Sequence, residues 1–120
     1  MGFLSRFAKV PSVDAATARD LVRDGAVLLD VRENNEWNAG HAPQAAHLPL
    51  GRVGEASKKV RKGKRVVVMC RSGSRSRSAT KALIGMGYDA LNLSGGLGAW
   101  ARAGGQVVDR AGRPASVCVT

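Results

Sequence analysis

The chain has 120 residues, with 19 Lys and Arg against 9 Asp and Glu, so its formal net charge is +10. This length allows one domain with its own core and is too short for two ordinary domains. Two cysteines are too few for a disulfide-stapled secreted scaffold, and the excess of positive charge favours anionic partners.

The first half of the chain alternates between helical and strand patterns. Residues 3–10 are mildly amphipathic and fit a short edge strand, and Ser12 is a fair N-cap for a helix that Gly25 ends. The apolar run 26–29 is typical of a buried strand and closes at Asp30. Three weaker elements follow: a helical turn at 34–39, an edge strand at 46–50 and a short helix at 54–60.

The second half continues the alternation. Its patterns predict a strand at 65–69, a helix at 75–86, a strand at 88–93 and a helix at 97–103. Strands that alternate with helices favour an α/β fold with a parallel sheet covered on both faces. We expect one domain over residues 1–108 and a loosely ordered tail over 109–120, because the tail has no periodicity.

The most informative stretch runs from Cys70 to Ser76, between the predicted strand 65–69 and the helix that follows. Ligands of parallel sheets bind at the carboxyl ends of strands, which is where Cys70 lies. Loop N–H groups and the start of a helix favour negative charge there, and Arg71 and Arg75 add positive charge. Such surroundings lower the pKa of a thiol, so we predict that Cys70 is a catalytic nucleophile.

Other features suggest less chemistry. The basic cluster, defined as Lys58, Lys59, Arg61, Lys62, Lys64 and Arg65, has no interleaved aromatic residues, so a solvated connection is a better interpretation than a nucleic-acid site. Two histidines and two distant cysteines predict no metal site, and no cofactor is expected. Cys118 is interpreted as a bystander thiol, with a role in resolving an oxidised Cys70 as the alternative.

Three blocks of residues follow one another along the chain. They are Leu29-Asp30-Val31-Arg32-Glu33 with Glu36-Trp37 and Gly40-His41-Ala42-Pro43-Gln44-Ala45, then Cys70-Arg71-Ser72-Gly73-Ser74-Arg75-Ser76, then Gly95-Gly96 with Trp100. With these blocks in this order, the chain resembles the single-domain rhodanese-like sulfurtransferases. The resemblance covers roughly residues 12–107. It departs from the family at Gln44, where glycine is common, and in the tail.

The resemblance implies a rhodanese-like three-layer fold, with a central five-stranded, mainly parallel sheet between helices. It implies that Cys70 takes a sulfur from thiosulfate or a related donor as a persulfide and passes it to cyanide or a thiol. Donor binding is then expected from the loop residues Arg71, Ser72, Gly73, Ser74, Arg75 and Ser76. Asp30 and Arg32, together with Glu36 and His41, are interpreted as structural partners that brace the loop.

Two other functions stay open at this level. Phosphatases and arsenate reductases of similar fold place five residues between cysteine and arginine, whereas only four separate Cys70 from Arg75, a ring sized for one added sulfur. The other alternative is a non-catalytic sulfur-carrier or interaction module that uses the basic surface to dock an acidic protein, such as an acidic sulfur-relay protein. No nucleic acid and no membrane are expected as partners. Without an apolar leader or a 20-residue apolar run, the cytoplasm is the expected location.

Overall fold

The computed structural model describes residues 10–115. Five parallel strands form one sheet in the order β1-β5-β4-β2-β3. The elements in chain order are β1 (Ser12–Val13), α1 (Ala15–Arg23), β2 (Val27–Asp30), α2 (Asn34–Ala39), β3 (Ala46–His47), a 3₁₀ segment (Leu50–Lys58), β4 (Arg65–Met69), α3 (Ser74–Gly85), β5 (Asp89–Leu93) and α4 (Gly96–Arg102). The predicted α/β class with a five-stranded parallel sheet is confirmed. No helix within the described range is long and apolar enough to cross a membrane.

Strand β4 lies at the centre of the sheet and is buried on both faces. Val66, Val68 and Cys70 face one apolar cluster, which α3 and the 3₁₀ segment cover. Val67 and Met69 face a second cluster, which α1 and α4 cover. A strand with a helix layer on each side has no polar face, which explains why residues 66–69 form an unbroken apolar run.

The structure agrees with several predicted boundaries and corrects one helix start. Helix α2 and strand β4 have the predicted bounds. Ser12 is not an N-cap, because it pairs with Asn92 of β5 as part of β1. The cap of α1 is Asp14, whose carboxylate accepts the Thr17 N–H at 2.8 Å. Most of the edge strand predicted at 3–10 lies outside the described residues.

A further segment differs from expectation. The strand predicted at 46–50 stops at His47, and a 3₁₀ segment begins directly after Pro49, earlier than the helix predicted at 54–60.

Residues 109–115, the described part of the predicted tail, form a tight turn. The Asp109 carboxylate accepts the N–H groups of Ala111 and Arg113, and Ala115 donates its N–H to the Val107 carbonyl.

The order of the strands opens a crevice at the carboxyl ends of β2 and β4. These two strands are neighbours, but the chain leaves β2 towards β3 at one edge and leaves β4 towards β5 on the other side. Connections that diverge in this way form the switch point at which α/β sheets bind ligands. Cys70 follows β4 directly and therefore lies at the crevice.

Glycines bring the start of α4 against the Cys70 loop. Leu97 donates its backbone N–H to the Cys70 carbonyl oxygen at 2.9 Å. Gly96 has a φ of +60°, and a Cβ atom there would lie 2.4 Å from the carbonyl oxygens of both Cys70 and Arg71. No side chain fits at that distance, so the contact between the two backbones requires glycine.

We expect Gly96→Ala to destabilise the protein and to displace the Cys70 loop, because one of the two backbones must move to admit a Cβ atom. The free energy of unfolding should fall by about 2 kcal/mol or more. Urea denaturation measures this loss, and the alkylation rate of Cys70 reports the displacement.

Gly98→Ala in the same helix is the matched control. A Cβ atom at Gly98 meets only the flexible end of the Arg102 side chain, at 3.2 Å. The free energy of unfolding should change by less than about 1 kcal/mol. Equal losses in the two variants would contradict the proposed contact.

Candidate active site

The sulfur of Cys70 lies on the floor of the loop that joins β4 to α3. Cys70 is completely buried, and its Sγ accepts the backbone N–H of Gly73 at 3.1 Å. Gly73 has a φ of +119°, which turns the chain so that this N–H points back at the sulfur. Helix α3 begins at the next residue, so the N–H groups of its first turn, which lack intrahelical acceptors, also lie at the loop.

Ser76, in the first turn of α3, supplies the hydroxyl nearest to the sulfur. Its Oγ lies 3.4 Å from Cys70 Sγ, and it is buried. Burial of Cys70 raises the pKa of its thiol, but hydrogen bonds from the Ser76 hydroxyl and from the N–H groups of Ser76, Gly73 and Ser72 outweigh this effect. The net result is a pKa below the ordinary value, which favours the reactive thiolate.

The guanidinium of Arg75 is held by Glu36 of α2 across the crevice. The two Nη atoms donate to the two carboxylate oxygens at 2.6 and 2.8 Å. This bidentate pair lowers the pKa of Glu36 to about 2 and raises that of Arg75. Arg75 therefore lies beside the loop, as its place in the sequence predicts, but two of its donors are occupied. A contact of Arg75 with a donor molecule stays a prediction.

Asp30 and Arg32 form a buried pair beneath α2. The Asp30 carboxylate accepts the Arg32 Nη2 at 2.7 Å and the Arg32 backbone N–H at 3.0 Å. Arg32 also donates to the carbonyl oxygen of Glu36, within α2, and to that of Gly40, which directly follows α2. The pair thus positions α2, and α2 in turn presents Glu36 to Arg75. Their contact with the Cys70 loop is indirect.

The rings of His41 and His47 both stack on Trp37. The ring centroids of Trp37 and His41 are 3.8 Å apart, and those of Trp37 and His47 are 4.7 Å apart. His41 Nδ1 lies 2.9 Å from the Trp37 carbonyl oxygen, and His47 Nε2 lies 2.7 Å from that of Arg32. The two rings therefore fix the position of α2 relative to the end of β3, next to Arg32.

The mouth of the loop is polar and positively charged. Arg71, Ser72 and Ser74 are exposed, in contrast to the buried Cys70 beneath them. The ion pairs formed within residues 10–115 do not include Arg71. Arg71 is consequently the loop arginine whose guanidinium carries no carboxylate partner in the described part of the chain.

Sequence reasoning missed Asn92 of β5, which the structure places under the loop. Asn92 is 2% exposed, and its Oδ1 lies 2.5 Å from the Ser76 hydroxyl. The available signal was an amide between two leucines, Leu91 and Leu93, in a strand of a sheet with two covered faces. A polar side chain in such a strand needs a partner, but the sequence does not say which one.

Comparison with known proteins identifies the family. The sequence model of the family described as the rhodanese-like domain matches residues 14–103 of this chain. The chain belongs to the rhodanese-like domain family. A Bacillus subtilis (strain 168) protein named putative sulfurtransferase YtwF is 41% identical over 73 residues, which are 61% of this chain and 71% of that protein. Membership and this relative support a sulfurtransferase-type function.

Solved structures agree with the fold. A rhodanese-related protein from Thermoplasma volcanium is 28% identical, with a TM-score of 0.74 over 82% of this chain and 97% of that chain. The thiosulfate sulfurtransferase from Pseudomonas aeruginosa is 26% identical, with a TM-score of 0.73 over 88% of this chain. The rhodanese-like domain described here spans only 21% of that longer protein.

The Glu36–Arg75 pair generates a prediction about stability and pH. At neutral pH, Glu36→Gln should lower the free energy of unfolding by about 1–2 kcal/mol, because it removes a bidentate, partly buried ion pair. The pKa of Glu36 is about 2 in the folded protein, below the ordinary 4.5. The stabilisation is therefore complete above pH 4.5 and is lost as the pH falls from there towards 2. Urea denaturation near neutral pH and near pH 3 measures the difference in free energy of unfolding between the wild type and Glu36→Gln. This difference should be smaller at pH 3.

Glu55→Gln provides the control. Glu55 forms a similar bidentate pair with Arg52, and its pKa is also about 2. That pair is exposed to solvent, with 64% of the Arg52 side chain accessible, so its loss should have little effect on stability. The prediction would be contradicted if Glu36→Gln lowered the free energy of unfolding no more than Glu55→Gln does. It would also be contradicted if the loss in Glu36→Gln were the same in acid as at neutral pH.

Proposed function

We propose that this protein transfers a sulfane sulfur from thiosulfate or a related anionic donor to cyanide or a thiol through a persulfide on Cys70. The observation that carries the proposal is the buried Cys70 sulfur, held by hydrogen-bond donors at the carboxyl edge of the sheet. Its lowered pKa favours the thiolate, and membership of the rhodanese-like family supports sulfur transfer.

The first half-reaction forms the persulfide. The Cys70 thiolate attacks the outer sulfur of thiosulfate, the sulfur–sulfur bond of the donor breaks, and its electron pair leaves with sulfite. Attack by a thiolate on divalent sulfur follows the logic of disulfide exchange, in which a good leaving group speeds the step. The N–H groups of the loop and of the first turn of α3 stabilise the negative terminal sulfur of the persulfide.

The second half-reaction returns the enzyme to its starting state. A nucleophilic acceptor attacks the terminal sulfur of the persulfide, and the electron pair of that sulfur–sulfur bond returns to Cys70 as thiolate. Cyanide leaves as thiocyanate, and a thiolate acceptor leaves as its own persulfide. No net oxidation occurs over the cycle, so no cofactor is required by this chemistry.

Charge at the mouth of the loop favours an anionic donor. Arg71 is exposed and can form charge-assisted hydrogen bonds with the departing sulfite. Arg75 adds positive charge beside the sulfur, but Glu36 neutralises most of it. We therefore assign the larger part of donor binding to Arg71 and to the backbone N–H groups of the loop.

A protein that delivers or accepts sulfur has to approach the same edge of the sheet. Arg65, the last residue of the basic cluster, begins β4, whereas Cys70 follows β4, so these two residues lie at opposite ends of a strand of five residues, roughly 17 Å long. For an acidic relay protein, we propose the exposed Arg71 and Arg77 as the contacts.

The phosphatase alternative is disfavoured by two observations. The loop has four residues between Cys70 and Arg75, and the Arg75 guanidinium that would hold phosphate oxygens is bound to Glu36. A phosphate must be surrounded on three sides by donors during transfer, whereas a persulfide adds a single atom. Hydrolysis of an aryl phosphate that depends on Cys70 would reverse this assignment.

Thiosulfate should add the mass of one sulfur atom to Cys70, because the persulfide is a covalent intermediate. Mass spectrometry of the intact protein and of its peptides measures the gain, and thiocyanate should form when cyanide is added. Cys118→Ser should behave as the wild type, and Cys70→Ser should gain nothing. A folded wild-type protein that takes sulfur neither from thiosulfate nor from an alkyl persulfide would refute the proposed function.

Arg71→Ala should raise the KM for thiosulfate about tenfold, because a charge-assisted hydrogen bond contributes about 1.5 kcal/mol or more. Steady-state formation of thiocyanate measures this change. The matched control is Arg77→Ala, which removes the same charge from an exposed position on α3 outside the loop. Similar KM values for the two variants would show that general electrostatic attraction, and not contact with Arg71, binds the donor.

A further inference from the structure

A series of hydrogen-bonded polar side chains runs from the Cys70 sulfur through Ser76 and Asn92 to the edge of the sheet. Sγ lies 3.4 Å from Ser76 Oγ, which lies 2.5 Å from Asn92 Oδ1. Asn92 Nδ2 lies 3.3 Å from Ser12 Oγ, which donates to the Val10 carbonyl at 3.1 Å. Cys70, Ser76 and Asn92 are buried, whereas Ser12 is exposed.

The register of the sheet puts these groups in line. Asn92 pairs with Ser12 on one side and with Val68 on the other, and Val68 precedes Cys70 by two residues. Residues two apart in a strand face the same side of the sheet. The Asn92 side chain therefore points into the layer that contains Cys70 and α3.

The hydroxyl of Ser76 has one hydrogen and three acceptors within reach. They are Asn92 Oδ1 at 2.5 Å, the Gly73 carbonyl oxygen at 3.1 Å and Cys70 Sγ at 3.4 Å. With the Asn92 amide in this orientation, the shortest contact directs the Ser76 hydroxyl hydrogen to Asn92 Oδ1, and the Cys70 thiol donates its hydrogen to Ser76. This direction of the hydrogen bonds fits a protonated Cys70.

A thiolate needs the opposite direction. An ionised sulfur only accepts, so Ser76 must turn its hydrogen towards Cys70. The Ser76 and Asn92 oxygens would then face each other without a hydrogen between them, in a buried site where unpaired polar groups are costly.

Rotation of the Asn92 amide by 180° resolves the conflict without changing its shape. Nδ2 then donates to Ser76 Oγ, and Oδ1 accepts from the Ser12 hydroxyl. The Gly73 carbonyl keeps the Arg77 N–H at 3.2 Å, and the half-exposed Val10 carbonyl can bond to water. Every buried polar group therefore keeps a hydrogen-bond partner in both arrangements of these hydrogen bonds.

We infer that Asn92 is a positioning residue whose side-chain amide turns over when Cys70 ionises, and that this motion makes Ser76 a hydrogen-bond donor to the thiolate. An amide offers a donor and an acceptor at interchangeable positions, which no other side chain of similar shape does. Leucine can do neither, and an ionised aspartate can only accept. Asn92 acts through Ser76 and does not touch the sulfur.

The test measures ionisation of Cys70 in a Cys118→Ser background, in which Cys70 is the only thiol. The pH dependence of alkylation by iodoacetamide gives the pKa. Asn92→Leu should reduce the thiolate fraction near neutral pH by about threefold or more, and Asn92→Asp by about tenfold or more, because aspartate also competes for the Ser76 hydrogen. The charged groups near the sulfur, Arg71, Arg75 and Glu36, are the same in all variants.

Two controls separate this role from a general structural one. In a Ser76→Ala background, Asn92→Leu should have no further effect on the pKa of Cys70, because the residue through which Asn92 acts is absent. Asn38→Asp adds the same charge at an exposed position of α2 and should change the thiolate fraction by less than about twofold. An unchanged pKa in folded Asn92→Leu, or an equal shift with and without Ser76, would overturn the inference.

The wild-type protein offers a test that does not depend on folding of the variants. The NMR signals of the Asn92 side-chain amide should shift with the same pKa as Cys70, and should be independent of pH over that range in Cys70→Ser. Amide signals that ignore the ionisation of Cys70 would also overturn the inference. Neither measurement requires sulfur transfer, so the inference about Asn92 can be tested even if the proposed function is wrong.

Discussion

The rest of the structure depends on a buried sulfur, that of Cys70, whose pKa is held below its ordinary value. Burial alone disfavours a thiolate, since a charge loses its hydration when it leaves water. The protein offsets this cost with the N–H of Gly73, the hydroxyl of Ser76 and the start of α3, all of which lie next to Cys70. A loop of this kind holds its shape only if its surroundings prevent it from relaxing towards solvent.

Contacts from three directions hold the loop. The backbone at Gly96 packs directly on the carbonyl groups of Cys70 and Arg71. Glu36 holds Arg75 from the other side of the crevice, and Arg32 fixes the helix that carries Glu36. Asn92 supports Ser76 from below. The shape of the loop is thus a property of the whole sheet edge, which is consistent with the small number of residues in the loop itself.

The arrangement also explains how positive charge is distributed around the thiolate. By its place in the sequence, Arg75 is the arginine most similar to the phosphate-binding arginine of a phosphatase. Its bidentate pair with Glu36, however, limits the hydrogen bonds that it can donate to an oxyanion. Arg71 remains at the mouth, exposed to solvent. A cysteine surrounded mainly by backbone N–H groups, with the exposed Arg71 at the mouth of its loop, suits a single added sulfur better than a tetrahedral phosphate.

The sequence by itself determined the α/β class, the bounds of α2 and β4, and the position of Cys70 at the end of a buried strand. These features are local, because apolar runs, caps and glycine stops depend on residues close in the chain. Only the tertiary structure decided the role of Ser12, the bond between Asn92 and Ser76, the partner of Arg75 and the glycine requirement at position 96. Each of these joins residues that are at least 16 positions apart. Their pairing follows from strand order and register, which bring distant residues to one edge of the sheet, and no local pattern encodes that geometry.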